Sequence, residues 1–244
     1  MGLFGFGKVE CPVDPDSREW IEANMKWFAE EFGDSRLKAP VILPVDEFFP
    51  FGLDGTEATA HRMFAHVCGF MEVNPDDVHL EFAEHDEPLT TRTLEYNWSS
   101  DAPAGTYEDN VYTKITISRA HLDNALGFVA TAAHELGHFL LLGQDRLDAD
   151  EPDHEPLTDL LTVYFGLGIF GANASLVERQ YEGAIGMAGW GYSRTGYLDF
   201  PMWGYAHAVL AHARGEDKPP WAAHLRPDVR ALFKRGMKYI QQGG

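Results

Sequence analysis

The segment from Asn124 to Gly143 is the strongest constraint on the fold, because it reads as one apolar helix that carries the letters His-Glu-Leu-Gly-His at 134–138. Positions i and i+4 of an α-helix lie on one face, about 6 Å apart, so His134 and His138 can reach one tetrahedral metal ion. Glu135 lies about 100° further round the helix. From there its carboxylate can hydrogen-bond a water molecule held by such an ion and take its proton. The spacing therefore predicts a divalent-metal site with an adjacent base.

The apolar surroundings of this motif are typical of a buried, rigid helix. Apolar residues recur at three- and four-residue spacing along the segment, at Leu126, Val129, Ala133, Leu136 and Leu140. Such a stripe packs into a protein core. Asp123 or Asn124 can cap the start of the helix, and Gly143 can end it. The competing interpretation is two core histidines that hydrogen-bond to other partners and hold no metal.

A third metal ligand is predicted at the start of the next helix. Residues 154–168 begin with His-Glu-Pro and continue as an apolar run, and Pro156 suits the first turn of a helix. Glu155 and Asp159 stand four positions apart, so Glu155 can complete the ligand set while Asp159 accepts the free ring N–H of a ligand histidine. His154 stays open as an alternative ligand, because imidazole also binds zinc well. Without a metal, these carboxylates would be a solvated acidic helix start.

At these residues the chain resembles the gluzincins, the thermolysin-like zinc metallopeptidases, in which H-E-x-x-H on one helix is completed by E-x-x-x-D on the next. The resemblance covers His134 to Asp159 and no other part of the chain. It implies zinc ligation by His134, His138 and Glu155. It further implies that Glu135 is the general base and that Asp159 is the hydrogen-bond partner of a ligand histidine.

The resemblance also implies a residue downstream that hydrogen-bonds the oxyanion formed during the reaction. In gluzincin-type chemistry this residue is a His or a Tyr. The candidates in this chain are Tyr192, Arg194, Tyr197, Tyr205 and His207. The sequence does not choose between them, since large aromatic residues at helical spacing are more often part of a core.

Composition limits the partners that we expect. The formal net charge of −19 disfavours nucleic acid, whose phosphates attract basic patches. No stretch approaches the roughly 18 uninterrupted apolar residues of a membrane span, so we expect none. Residues 1–8 lack the basic start and long apolar core of a secretory signal, so we expect a cytoplasmic protein. We expect Cys11 and Cys68 to be buried thiols, with a mutual disulfide or a redox role as alternatives.

The remaining pattern predicts an α+β fold. Helices are predicted over 16–32, 56–71, 174–188, 202–214 and 227–241, and strands over 41–43, 78–82 and 111–117. We therefore expect a single domain over 1–244 with a zincin-like fold and a small mixed sheet. Its expected parts are an N-terminal α/β portion over about 12–122, the metal-binding helices over about 123–170 and a helical C-terminal portion over about 171–244.

The predicted function is zinc-dependent hydrolysis of a peptide bond, with Zn2+ as the cofactor and a peptide or protein as the substrate. Two other functions stay open: a zinc-binding regulatory or interaction module without turnover, and a zinc hydrolase of a non-peptide substrate. Glu135 favours an enzyme over the module, because a purely structural metal needs no base.

Overall fold

The computed structural model describes residues 9–84, 113–148, 151–174 and 197–243. They form seven longer helices and one small sheet, in the order α1 (Pro15–Phe32), α2 (Glu57–Phe70), β1 (Val78–Ala83), β2 (Thr113–Ser118), α3 (Ala125–His138), α4 (His154–Tyr164), α5 (Gly168–Ala174), α6 (Phe200–Ala213) and α7 (Pro227–Gln241). A π-helical turn, Phe139–Gly143, extends α3. Short 3-10 helices cover Asp34–Lys38, Pro75–Asp77, Arg119–His121 and Pro220–His224. The structure is mostly helical with a small sheet, in agreement with the predicted α+β class.

Side-chain caps explain where several helices begin. Asn124 caps α3, since its Oδ1 accepts a hydrogen bond from the backbone N–H of Gly127 at 3.1 Å. Asp14 and Thr56 cap α1 and α2 in the same way, and Asp199 caps α6. Each cap satisfies a backbone N–H that has no partner inside its helix. The start predicted for the metal-site helix is confirmed, with Asn124 as the capping residue.

Residues 45–154 form one compact unit, which holds α2, α3 and the sheet. Strands β1 and β2 pair in parallel, and Leu80 of β1 lies opposite Ile115 of β2. Both of these side chains are buried. Helix α3 contacts α2 and β2, so its apolar stripe completes the core of this unit. The two described strands supply only parallel pairing, and a mixed sheet stays a prediction.

Residues 1–44 and 155–244 form the other compact unit. Helices α6 and α7 pack side by side in it, and α1 and α5 contact α6. The approach of α6 to α7 is close at Gly204, where an added Cβ would lie 2.6 Å from the Cβ of Leu232. Glycine at this position therefore lets the two backbones pack directly. The rings of Phe28 and Tyr164, 5.8 Å apart, join α1 to α4.

The strand predicted over 41–43 is wrong. The segment has no regular secondary structure and is not part of the described sheet. Its described backbone bond runs from the N–H of Ile42 to the carbonyl of Gly166, at 2.9 Å. Gly166 has a φ of +82°, and a Cβ there would lie 3.0 Å from the carbonyl oxygen of Pro40. Buried apolar residues at 41–42 thus come from packing against this helix end, a contact that alternation along the chain cannot distinguish from strand pairing.

The remaining predictions concern three helices in the C-terminal half of the chain and the two cysteines. The helices predicted over 202–214 and 227–241 are confirmed as α6 and α7. Most of the helix predicted over 174–188 lies outside the described residues. Cys11 and Cys68 are free thiols, as expected, but only Cys68 is fully buried. Burial raises the pKa of the Cys68 thiol to about 12, because the thiolate would lose its hydration.

The organisation as one domain stays a prediction. The division into compact units falls between His154 and Glu155, which are consecutive residues of α4.

By length and composition, one helix in the described part of the chain, Ala125–Gly143, is apolar enough to cross a membrane. Its mean hydropathy is 1.4, and 61% of the apolar window is buried inside the protein. Core helices of soluble proteins have the same character, and the expected absence of a span is likewise untested.

Candidate metal site

The two histidines of α3 point their ring nitrogens at a common place. Their Nε2 atoms are 3.1 Å apart, and the ring planes stand at 89° to each other. Two nitrogen donors at about 2.0–2.1 Å from one tetrahedral zinc ion would lie about 3.3 Å apart. The spacing therefore fits joint ligation of one ion. His138 is buried and His134 is half-buried, so the pair lies at the edge of the core and not on an open surface.

A carboxylate oxygen of Glu155 lies close to the ring nitrogens of His134 and His138. His134, His138 and Glu155 each offer one ligand atom, and these atoms all lie within 4.8 Å of one another. Among the described residues this is the one group of three or more potential metal ligands. We call these three residues the ligand group. Two imidazoles and one carboxylate can hold a metal ion, and three protein ligands leave a coordination position open, as catalytic zinc sites do.

His154 lies next to the ligand group but is not a member of it. Its ring centroid is 5.6 Å from that of His138. Helix α4 begins at His154, so this residue and Glu155 occupy successive positions of its first turn. Membership of the group thus favours Glu155 over His154 as the third ligand, and the ligand set stays a prediction.

Glu135 follows His134 on α3 and is half-buried. Its carboxylate has no hydrogen-bond or ion-pair partner among the residues that the structure describes. A carboxylate that is not already bonded keeps both oxygens available to accept a proton. This arrangement is compatible with the base predicted from the motif.

The metal-site helix ends in a feature that the sequence analysis missed. After His138 the helix widens into the π-helical turn Phe139–Gly143. Arg146 closes this end, because its guanidinium donates to the carbonyl of Leu140 at 2.8 Å and its backbone N–H donates to the carbonyl of Leu141 at 2.9 Å. Turns of this kind are rare and occur frequently at functional sites. Single-residue propensities give no signal for them.

Asp159 is buried, and it anchors a distant segment of its own unit. Its Oδ2 accepts hydrogen bonds from the backbone N–H groups of Tyr197 and Leu198, at 2.7 and 3.2 Å. A buried carboxylate needs such partners, since it is costly to remove from water without them. Burial could have been expected from the apolar run of α4, but the identity of the partners could not. The predicted bond from Asp159 to a ligand histidine stays a prediction.

Among the predicted oxyanion donors that the structure describes, Tyr197 is the one whose backbone is bonded to α4. Its side chain is half-buried. Tyr192 and Arg194 lie outside the described residues. The bond to Asp159, four positions after Glu155, makes Tyr197 the donor candidate that the described contacts favour.

Tyr205 and His207 are both buried in the α6 core. The Tyr205 hydroxyl donates to Glu22 at 2.5 Å, and burial raises the pKa of this phenol. The Nδ1–H of His207 donates to the carbonyl of Trp203 at 2.7 Å. Burial lowers the pKa of His207 to about 4, although the bond to Trp203 opposes the shift. Both side chains are therefore buried and already hydrogen-bonded, which disfavours them as oxyanion donors.

Comparison of this chain with protein-family models, with curated proteins and with solved structures found no match.

Proposed function

We propose that this chain is a zinc-dependent metallopeptidase with a zincin-like fold. The observation that carries the proposal is the ligand group, in which His134, His138 and Glu155 bring their ligand atoms within 4.8 Å of one another. Two imidazoles and one carboxylate are a known donor set of catalytic zinc sites.

Zinc fits this donor set better than the common alternatives. Imidazole nitrogens suit zinc and other transition metals, whereas calcium and magnesium prefer all-oxygen sites. A zinc ion held by these three residues would lower the pKa of a water molecule to about 7 and polarise a carbonyl group. The Glu135 carboxylate would take a proton from the water as its oxygen attacks the carbonyl carbon, and would pass that proton to the nitrogen as the C–N bond breaks. Tyr197 is the proposed hydrogen-bond donor to the oxyanion.

The peptide bond is the proposed substrate because of the gluzincin-like pattern over His134 to Asp159. Within the described residues the ligand group has three members and the Glu135 carboxylate has no bonded partner, and this pairing supports hydrolysis over a purely structural metal, which would need neither an open position nor a base. A zinc-binding module and a hydrolase of a non-peptide substrate would use the same ligand group. Unlike a peptidase, neither would cleave a peptide library.

The test begins with elemental analysis of the purified protein and continues with digestion of a diverse peptide library. We expect one zinc per chain and cleavage of part of the library. Glu135→Gln preserves size but cannot accept a proton, so zinc content should persist while turnover falls at least about 100-fold. Glu47→Gln, an exposed position in the same unit, is the matched control and should keep full activity.

Two outcomes would contradict the peptidase. Equal cleavage by wild type and Glu135→Gln at matched zinc occupancy would show that another base or another protein cuts the peptides. A fully zinc-loaded wild type that cuts no peptide in the library would favour the binding module or a non-peptide substrate.

A further inference from the structure

A cavity of about 340 Å³ lies among α1, α6 and α7. Its walls include charged residues of α1, Arg18 and Glu22, two aromatic residues, Tyr205 and Tyr239, and two aliphatic residues, Val209 and Ile240. A second cavity of about 400 Å³ shares Arg18 and Tyr239 with the first. Volumes of this size fall in the range of small-molecule sites, about 300–1,000 Å³.

The two opposite charges in this cavity are held apart. Arg18 and Glu22 stand at i and i+4 of α1, a spacing at which such side chains commonly form an ion pair. Here each is bonded to a tyrosine instead. The Arg18 guanidinium donates to the hydroxyl oxygen of Tyr239, and the hydroxyl of Tyr205 donates to the Glu22 carboxylate at 2.5 Å. The cavity thus presents a positive and a negative group that do not neutralise each other by contact.

Arg18 is notable in a chain with a net charge of −19. Within the described ranges, no carboxylate oxygen lies within the 4.0 Å ion-pair distance of its guanidinium. Its Nε is buried and has no hydrogen-bond partner there either, so the donors open to a ligand are those of the terminal nitrogens. A guanidinium has five N–H donors, and the described bond to Tyr239 uses only part of them. The remaining donors match the two oxygens of a carboxylate.

The other walls suit an apolar group. Val209 and Ile240 are half-buried, and the rings of Tyr205 and Tyr239 lie 6.4 Å apart beside them. Tyr205 and Tyr239 are buried, so their hydroxyls are fixed, and each hydroxyl restrains one charged side chain, the half-buried Arg18 or the exposed Glu22. Preorganised groups of this kind lose little entropy on binding.

We propose that this cavity binds a free α-amino acid with an apolar side chain. The ligand carboxylate bonds to Arg18, the ligand ammonium bonds to Glu22, and the side chain contacts Val209 and Ile240. The separation of the two protein charges by the tyrosine hydroxyls is what selects a zwitterion over a simple anion or cation. The site uses no residue of the ligand group and does not depend on the proposed peptidase activity.

Titration calorimetry with L-leucine tests the proposal. We expect saturable binding by wild type, and at least about tenfold weaker binding of 4-methylpentanoate, which lacks the ammonium, and of 3-methylbutylamine, which lacks the carboxylate. Arg18→Gln and Glu22→Gln should each weaken leucine binding about tenfold or more. Lys26→Gln changes an exposed charge on the same helix and should leave the affinity unchanged.

Arg18→Lys is the control that separates loss of binding from loss of folding, since it retains the charge and most of the packing. This variant should melt like wild type and bind leucine more weakly than wild type, because a point charge replaces the bidentate fork. Absence of leucine binding at millimolar concentration would overturn the proposal. Equal affinity for leucine and 4-methylpentanoate, or unchanged affinity in a folded Arg18→Gln variant, would overturn it as well.

Discussion

At the scale of single residues, the 3.1 Å separation of the Nε2 atoms of His134 and His138 has two physical explanations. One imidazole can donate a hydrogen bond to the other, or both can face a shared cation. The position of Glu155 supports the proposed cation, because a carboxylate near both nitrogens would complete a donor set. A hydrogen bond between the rings alone would need no carboxylate there.

The third-ligand assignment can be tested by comparing adjacent residues. We expect Glu155→Ala to lower zinc affinity by orders of magnitude and His154→Ala to change it little, because only Glu155 belongs to the ligand group. His134→Ala and His138→Ala should abolish stoichiometric zinc. Elemental analysis after dialysis measures all four variants. Loss of zinc from His154→Ala with retention in Glu155→Ala would reverse the assignment.

At the scale of elements, α4 links the ligand group to the segment at residues 197–198. Glu155 lies in the first turn of this helix, and Asp159 bonds to Tyr197 and Leu198 one turn later. The π-helical turn Phe139–Gly143 marks the other helix of the site at the point where α3 ends. Short, well-bonded helix ends thus hold the groups that the proposed chemistry would use, which is how rigid elements position a site.

Asp159→Asn separates two roles of this carboxylate. The variant keeps an oxygen that can accept from Tyr197 and Leu198, but it loses the charge that would orient a ligand histidine. We expect a folded protein whose zinc affinity, measured by chelator competition, falls roughly 10–100-fold. Asp228→Asn, near the start of α7, is the control and should bind zinc normally. Unchanged zinc affinity in Asp159→Asn would leave only the backbone contacts as its role.

At the scale of the whole molecule, the core of α6 predicts sensitivity to acid. His207 is buried, and its pKa falls from 6.5 to about 4 in the folded protein. Between these values the unfolded chain binds a proton that the folded chain does not, so the free energy of unfolding decreases as the pH falls. From about pH 7 to about pH 5, this one group removes about 2 kcal/mol of stability.

Denaturant unfolding at several pH values measures this effect. A chelator is included so that metal loss does not contribute. We expect His207→Gln to be less stable than wild type near neutral pH but to lose less stability on acidification. His212→Gln, an exposed position on the same helix, should retain the pH dependence of wild type. If wild type and His207→Gln lose stability in parallel, His207 does not cause the acid sensitivity.

Much of the local structure could be predicted from the sequence. Capping residues, proline positions and apolar periodicity gave the helices α1, α2, α3, α6 and α7 closely, because these signals act within a few residues of each helix end. The strand predicted over 41–43 failed because burial there arises from a contact with Gly166, far along the chain. The two separated charges of α1 likewise depend on tyrosines of α6 and α7.

The sequence by itself determined which side chains of the candidate site share one helix. The spacing of His134, Glu135 and His138 puts two imidazoles and a carboxylate on α3, since helix geometry follows from local backbone rules. Only the tertiary structure decided that Glu155, and not His154, joins the ligand group, and that Asp159 anchors Tyr197. His154 and Glu155 are adjacent in the sequence, but only Glu155 brings a ligand atom close to those of His134 and His138. Which of two adjacent side chains does so depends on packing between distant segments, and local sequence does not encode that packing.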